Sequence, residues 1–418
     1  MSGDANHPVH EPSVNMFGGV RVVEVAQFVF VPVTGALLAD WGADVVKIEH
    51  PVTGDGYRGL MTQGIGASSG TVNVSWEMAN RGKRSVGLDL KSEEGRAILL
   101  DLVKTADVFL TNSLPSSLER LGLGVDDLRA ANPSIIYARG HGYGARGPDA
   151  DTPAYDSTAF WARGGMGDTL TPVGLDEPIG QRGALGDRNG AVQLAFGIAA
   201  ALFRKERTGE GSVVDVSLLG TAMWMLASDV MSALQGSFQP ARLPAPGSRT
   251  QMPNPLVGNF RCHDDRFLTI CFLQPDRYWA ELCVAIGRPE LADDPRFADI
   301  TTRAEHREEC LAILDEVFAA RTLDEWREAF ASERFPWAPF QRVTEMAADR
   351  QVVANGYIGT IDDGDVKFSL PTGAVQFDEQ PTALRRAPEH GQHTDEVLLE
   401  LGYDWDRIIE LKLGEVVT

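Results

Sequence analysis

Short β-branched runs alternate with longer helical stretches along the first half of the chain. Residues 20–26, VRVVEVA, form a run suited to a buried strand. After the loop Gln27–Val31, Pro32 fits the first turn of a helix that continues through Trp41 and stops at Gly42. Asp44–Glu49 reads as a second strand. Strand, helix and strand within about thirty residues make a βαβ unit and so imply a parallel sheet. The rhythm continues: Asn80–Lys91 leads into a strand, and Ser92 opens a helix whose apolar positions run to Val103. Asp107–Asn112 and Ser134–Arg139 are strands, with short helices Ser116–Leu121 and Val125–Ala131 between them. From Ala191 the segment AVQLAFGIAAALFRKERTG predicts a long helix too apolar to lie on a surface, closed by basic residues and Gly209. Ser212–Ser217 is a strand, and Leu218–Leu234 one further helical stretch.

The periodicity therefore predicts an α/β protein with a Rossmann-like wound parallel sheet in a large domain and a smaller α+β domain. Residues 1–17 form a leader expected to be flexible, 18–234 the large domain, and 235–255 a proline-rich linker. The small domain, 256–335, begins with a hairpin turning at His263–Asp265 and continues in three helices near Asp276–Ile286, Ala304–Ala320 and Leu323–Ser332. Residues 336–418 return to complete the large domain, with Phe335–Arg342 leading back.

Composition narrows the function. A net charge of −21 argues against a nucleic-acid or anionic-membrane partner. No run approaches the roughly 18 apolar residues of a membrane span, and the N-terminal residues lack a secretory pattern. A cytoplasmic location is expected. Cys262, Cys271, Cys283 and Cys310 show no C-x-x-C spacing and fall at apolar positions, so buried free thiols are expected, not a metal site. The turn after the first strand lacks the G-x-G-x-x-G of dinucleotide binders, and neither Walker A nor H-E-x-x-H occurs.

The chemistry centres on Gly183-Ala-Leu-Gly-Asp-Arg-Asn-Gly190. This turn delivers Asp187 to the start of the long helix, where free N–H groups and the helix dipole favour a carboxylate that stays ionised. Gly183, Gly186 and Gly190 would let a ligand approach the backbone. Asp is also a favoured N-cap, so a purely structural role remains open at this point.

Six segments in order resemble the class III CoA-transferase family, whose relatives include the α-methylacyl-CoA racemases. They are VRVVEVAQFVFVPVTGALLADWGADVVKIEHP, NRGKRSVGLDLKSEEG, ADVFLTNSLPSSLERLGLG, NPSIIYARGHGYG, GDRNGAVQLAFGIAAALFRKERTGEGSVVDVSL and GQHTDEVLLELG. The resemblance implies Asp187 as the covalent catalyst, passing through an aspartyl anhydride and an aspartyl-CoA thioester. It places CoA on Val29, Phe30, His50, Leu88 to Lys91, Asn112, Ser113, Leu114 and Arg120, with Tyr155 lining the CoA or acyl pocket. Lys91 and Arg120 suit phosphates, whereas His50 stands where the family often has arginine. Acyl-CoA and a carboxylic acid are the implied substrates, with no permanently bound cofactor and no metal. An interlocked homodimer is also implied.

Two alternatives remain: a racemase, or a CoA-binding protein without catalysis. Tyr155 occupies the position of the racemase histidine, and tyrosine is a poor base near neutrality. His141 reads as a loop histidine. The acids exchanged stay open, with succinyl-CoA one candidate donor. Phe28, Phe30, Trp161 and Trp224 suggest a roomier acyl site than formate needs.

Overall fold

The computed structural model describes residues 15–61, 72–236, 252–364 and 366–418. Most of the expected leader and of the expected 235–255 linker lies outside them. The described residues fall into two compact units. The first comprises the chain up to Thr169, the segment beginning at Pro178, and everything from Arg350 onward; the second comprises Leu170–Glu177 and the described residues from 252 to Asp349.

The first unit is built on six strands: β1 (Arg21–Val25), β2 (Asp44–Glu49), β3 (Arg84–Gly87), β4 (Val108–Thr111), β5 (Ile136–His141) and β6 (Val213–Ser217). They run parallel in the order β3-β2-β1-β4-β5-β6. Val22 of β1 lies opposite Val45 on one side and Val108 on the other. Strands buried on both faces need such continuous apolar runs, which is why the pattern was so legible. The order reverses between β1 and β4, and in wound sheets the crevice beyond that reversal, at the carboxyl ends of the strands, receives ligands.

Helices α1 (Phe30–Asp40), α2 (Val74–Asn80), α3 (Glu93–Lys104), α4 (Pro115–Leu121), α5 (Val125–Ala131), α6 (Met166–Leu170) and α7 (Leu185–Thr208) occur along the chain to β6. Helix α3 begins as its sequence suggests: the Ser92 hydroxyl accepts from Gly95 N–H at 2.9 Å, and Glu93 and Glu94 occupy the first turn. Helix α2 was not anticipated within a polar segment; Asn73 caps it by accepting from Trp76 N–H at 3.0 Å. The stretch 218–234 is two helices, α8 (Leu218–Met225) and α9 (Ala227–Leu234), because the backbone leaves the helical region at Leu226. One core of this unit joins Phe109, Leu118, Leu128 and Tyr137 to Val397, Leu398, Ile408 and Leu411 of the C-terminal helices. Burying each such side chain contributes about 1.5–3 kcal/mol.

The long helix departs from expectation. Helix α7 buries Ala191, Leu194, Ala195 and Ile198. Val192, Phe196 and Phe203 stand exposed on the chain, with Phe196 at 76%. The helix is apolar on more than one face, and the single chain covers only part of it.

In the second unit β7 (Val257–Arg261), β8 (Phe267–Cys271) and β9 (Trp337–Pro339) form an antiparallel sheet. Helices Pro275–Ala285, Ile300–Glu305, Arg307–Ala319 and Leu323–Ala329 enclose an aromatic core containing Phe260, Phe318, Trp326 and Phe330. Two expectations fail in this unit. Phe335–Arg342 does not simply lead away, because buried Phe335 anchors it and Trp337–Pro339 pairs with β8. Cys271 is exposed, because strand alternation turns Leu268 and Ile270 inward and Cys271 outward; Cys262, Cys283 and Cys310 are buried free thiols.

Among the described residues no helix is long and apolar enough to cross a membrane, and no group of His, Cys, Asp and Glu is placed to hold a metal.

Candidate active site

A cleft of about 470 Å³ opens at the carboxyl ends of the strands. It is lined by the turns after β1 (Gln27–Phe30), β2 (His50), β3 (Leu88–Lys91), β4 (Asn112–Leu114) and β5 (Gly142), together with Tyr155, Asp187 and Leu218. Most of the residues singled out from sequence therefore share one cavity, among them Phe28, Val29, Phe30, His50, Leu88, Lys91, Asn112, Ser113, Leu114, Tyr155 and Asp187. Arg120 does not line it. Its guanidinium is occupied locally on α4, donating to Ser116 O at 3.2 Å and Ser117 Oγ at 3.0 Å. Trp161 and Trp224 are absent from the lining as well: Trp161 donates to Ile179 O at 3.1 Å, and Trp224 is exposed.

The turn after β1 is held by side chains far away in sequence. Asn112 clasps Gln27 as a strand would, accepting from its N–H at 3.0 Å and donating to its carbonyl at 2.7 Å. Asp55 Oδ1 accepts from Phe28 N–H at 3.2 Å, and Lys47 donates to Ala26 O at 2.7 Å. Lys47 is wholly buried, 2.9 Å from Asp55 and 3.2 Å from Glu24, and Lys83 adds a 2.8 Å pair to Glu24. Burial opposes the Lys47 charge, but the Asp55, Glu24 and Glu49 carboxylates outweigh it and hold the ammonium above the usual lysine range. Burial pulls Lys83 down to about 8 despite Glu24. Such a buried network is weak evidence of stability, because removing its charges from water is expensive. Its effect here is positional.

Asp187 lies in the first turn of α7 but is not its cap: Ala184, in the left-handed region at φ 60°, holds the cap position. Asp187 is half-buried. Instead of remaining readily ionised, its carboxyl is pushed up to about 7, first by burial and then by the neighbouring charge of Asp156, with Arg188 opposing. The helix N-terminus serves Asp156 instead. That residue is buried, and burial raises its proton affinity; Gln181, donating to Oδ2 at 2.8 Å, and the N–H groups of Asp187 and Gly186 counter the rise. Asp156 Oδ1 itself is buried without a hydrogen-bond partner.

The glycines act differently from expectation. A Cβ on Gly186 would strike Asp156 Oδ1 at 2.3 Å and the Phe160 ring at 2.2 Å. One on Gly190 would meet the Phe30 ring at 2.7 Å. Those two glycines admit protein side chains, and only Gly183 faces open space. Phe30 is accordingly packed, seated between Gly190 and Gly140.

His141 is not a loop residue. It ends β5, is buried, and sets Nε2 3.3 Å from Asp215 Oδ1. His50 is exposed and accepts Val52 and Thr53 N–H groups on Nδ1 at 3.2 and 3.3 Å. Accepting there places any single ring proton on Nε2. Lys91 is exposed, and no described carboxylate pairs with its ammonium. Sequence reasoning aligned Asp156 with the aspartate of the racemase segment but gave it no role beside Asp187; it missed Asp55, Lys47 and Tyr57, which no local pattern marks because each acts across the fold.

Comparison with known proteins identifies the family. The model of CoA-transferase family III matches residues 17–394. The chain is 33% identical over 401 residues to (R)-2-hydroxy-4-methylpentanoate CoA-transferase of Clostridioides difficile, covering 96% of this chain and 98% of that protein. It is 34% identical over 412 residues to cinnamoyl-CoA:phenyllactate CoA-transferase of Clostridium sporogenes, covering 96% and 97%. Among solved structures, Rv3272 of Mycobacterium tuberculosis superposes with a TM-score of 0.77 at 29% identity, covering 92% of this chain and 99% of that one. An α/β chain with a wound parallel sheet, matched to this family over nearly its whole length, belongs to CoA-transferase family III and is an enzyme of CoA transfer.

Proposed function

We propose that this enzyme moves CoA from an acyl-CoA donor to a carboxylic acid through covalent intermediates on Asp187. One observation carries the reading: Asp187 opens into the cleft at the sheet's carboxyl edge with its carboxylate engaged in no hydrogen bond to a described residue. A capping role would require such a bond.

The steps balance as follows. An Asp187 oxygen attacks the acyl carbonyl; the C–S bond breaks, and CoA leaves as thiolate with its electron pair. The thiolate then attacks the aspartyl carbonyl of the anhydride, the C–O bond breaks, and the donor acid departs as carboxylate. The acceptor carboxylate attacks the aspartyl-CoA thioester, and the released thiolate takes the new acyl group, restoring Asp187. A carboxylate with a raised proton affinity is a better nucleophile once ionised, so burial beside Asp156 favours the first step. Holding both reactants in the cleft supplies much of the remainder; effective molarities of roughly 10⁵–10⁸ M are known for well-oriented groups.

CoA binds along the strand ends, with Lys91 and His50 toward its phosphates and the backbone of Val29 and Phe30 beneath its pantetheine arm. Leu88, Asn112, Ser113 and Leu114 complete that wall, and Tyr155 stands at the mouth near Asp187. Arg120 belongs to this set only if its side chain leaves Ser116 and Ser117. Racemisation gains no support, since Tyr155 replaces the needed base and His141 is already engaged with Asp215.

Incubation with an acyl-CoA and hydroxylamine, followed by mass analysis of the peptide containing Asp187, tests the proposal. An Asp187 hydroxamate is expected. Turnover with an aspartate that is never derivatised overturns the reading.

A further inference from the structure

Phe28 sits in the left-handed region at φ 68°, where an aromatic residue is disfavoured and persists only if its surroundings over-determine it. They do so here: Asp55 binds its N–H at 3.2 Å, Asn112 grips Gln27 on both backbone groups, and Lys47 holds Ala26 O. Glycine or asparagine would accept that backbone with less strain. Phenylalanine adds only its ring, so the ring is where a function should be sought. It is half-buried and lines the cleft that Asp187 opens into. Tyr155 stands edge-on to it at 5.5 Å and 86°, and Tyr57 lies on another side at 6.5 Å and 61°. Tyr57 is also close enough to Asp187 and Arg188 to feel their charges, although burial is the main influence on its proton affinity. Three rings thus gather beside the nucleophile.

We infer that Phe28, backed by Tyr57 and Tyr155, selects the acyl group, and that the preferred group carries an aryl body. Flat apolar chains meet the ring faces and edges, whereas acetyl or formyl groups leave that surface wet. The inference rests on acyl exchange at Asp187 and adds the substrate class.

The test compares kcat/KM for cinnamoyl-CoA and acetyl-CoA in wild type, Phe28→Asn and Phe28→Leu, with thermal melts confirming that each variant folds. Asparagine suits the left-handed backbone but lacks the ring. Wild type is expected to prefer cinnamoyl-CoA. Phe28→Asn should lose about 10-fold or more of that substrate's kcat/KM while acetyl-CoA changes by less than about 3-fold, with Phe28→Leu intermediate. Equal losses for both donors would assign the ring to the pantetheine arm and overturn the inference. So would a wild-type enzyme without preference for the aryl group. Trapping Asp187 with hydroxylamine in the same samples separates the two readings: a normal hydroxamate with unchanged selectivity sinks only the role of Phe28, and no hydroxamate sinks both.

Discussion

Replacing Asp156 by asparagine removes one negative charge beside Asp187 while keeping an oxygen able to accept from Gln181. Asp187 stands at about 7 against an ordinary 3.8, with burial the larger cause and Asp156 the second. Since burial persists in the variant, only the smaller part of the rise is recovered, about one pKa unit or roughly 1.4 kcal/mol. The sign follows directly: without Asp156 the Asp187 carboxylate is easier to ionise, so its titration moves to lower pH. The assay is the pH dependence of kcat/KM for an acyl-CoA donor, whose ascending limb reports ionisation in the free enzyme. Two adjoining carboxyls titrate as a pair, so the limb belongs to both in wild type and to Asp187 alone in the variant. The midpoint should fall from about 7 to about 6, and activity at pH 6 should rise by up to about 5-fold through the larger ionised fraction. The plateau above pH 8 should drop modestly, because a less basic carboxylate is a weaker nucleophile. A limb that stays in place or moves upward refutes the electrostatic reasoning.

Three further outcomes are expected. Asp187→Asn should abolish turnover yet stabilise the fold at pH 8. A carboxyl whose folded pKa is raised stabilises most below its unfolded value and loses that contribution as pH rises through about 4 to 7, so the variant's advantage in urea melts should appear near pH 8 and vanish near pH 4; allowing for its partial exposure, the gain is about 1–2 kcal/mol. Lys91→Ala should raise KM for acyl-CoA about 5- to 50-fold at low salt with kcat little changed, measurable by initial rates across ionic strength. Phe196→Glu on the exposed face of α7 should lower the melting temperature of the expected interlocked homodimer, whose threaded chains cannot part without unfolding, whereas a wild-type chain that is monomeric in light scattering behind size exclusion removes that expectation.

The sequence by itself determined the wound sheet, because strands buried on both faces must be apolar runs and crossover helices must present an apolar stripe. Asp44–Glu49 coincides with β2, and the Ser92 cap was legible from one hydroxyl followed by two acids. Asp187 was legible too, through its position before an apolar helix. Its state was not. Whether that carboxyl keeps its proton depends on burial and on Asp156, which lies in a separate segment and reaches it only after folding. The same holds for Phe28, whose left-handed turn is set by Asp55, Asn112 and Lys47 from three other segments. Gly186 and Gly190 show the limit most clearly: sequence indicates that space is needed there, but only the packed chain reveals that Asp156 and Phe30 fill it. Periodicity reports what a residue needs from its own element, whereas field and fit come from neighbours that only the tertiary fold brings together.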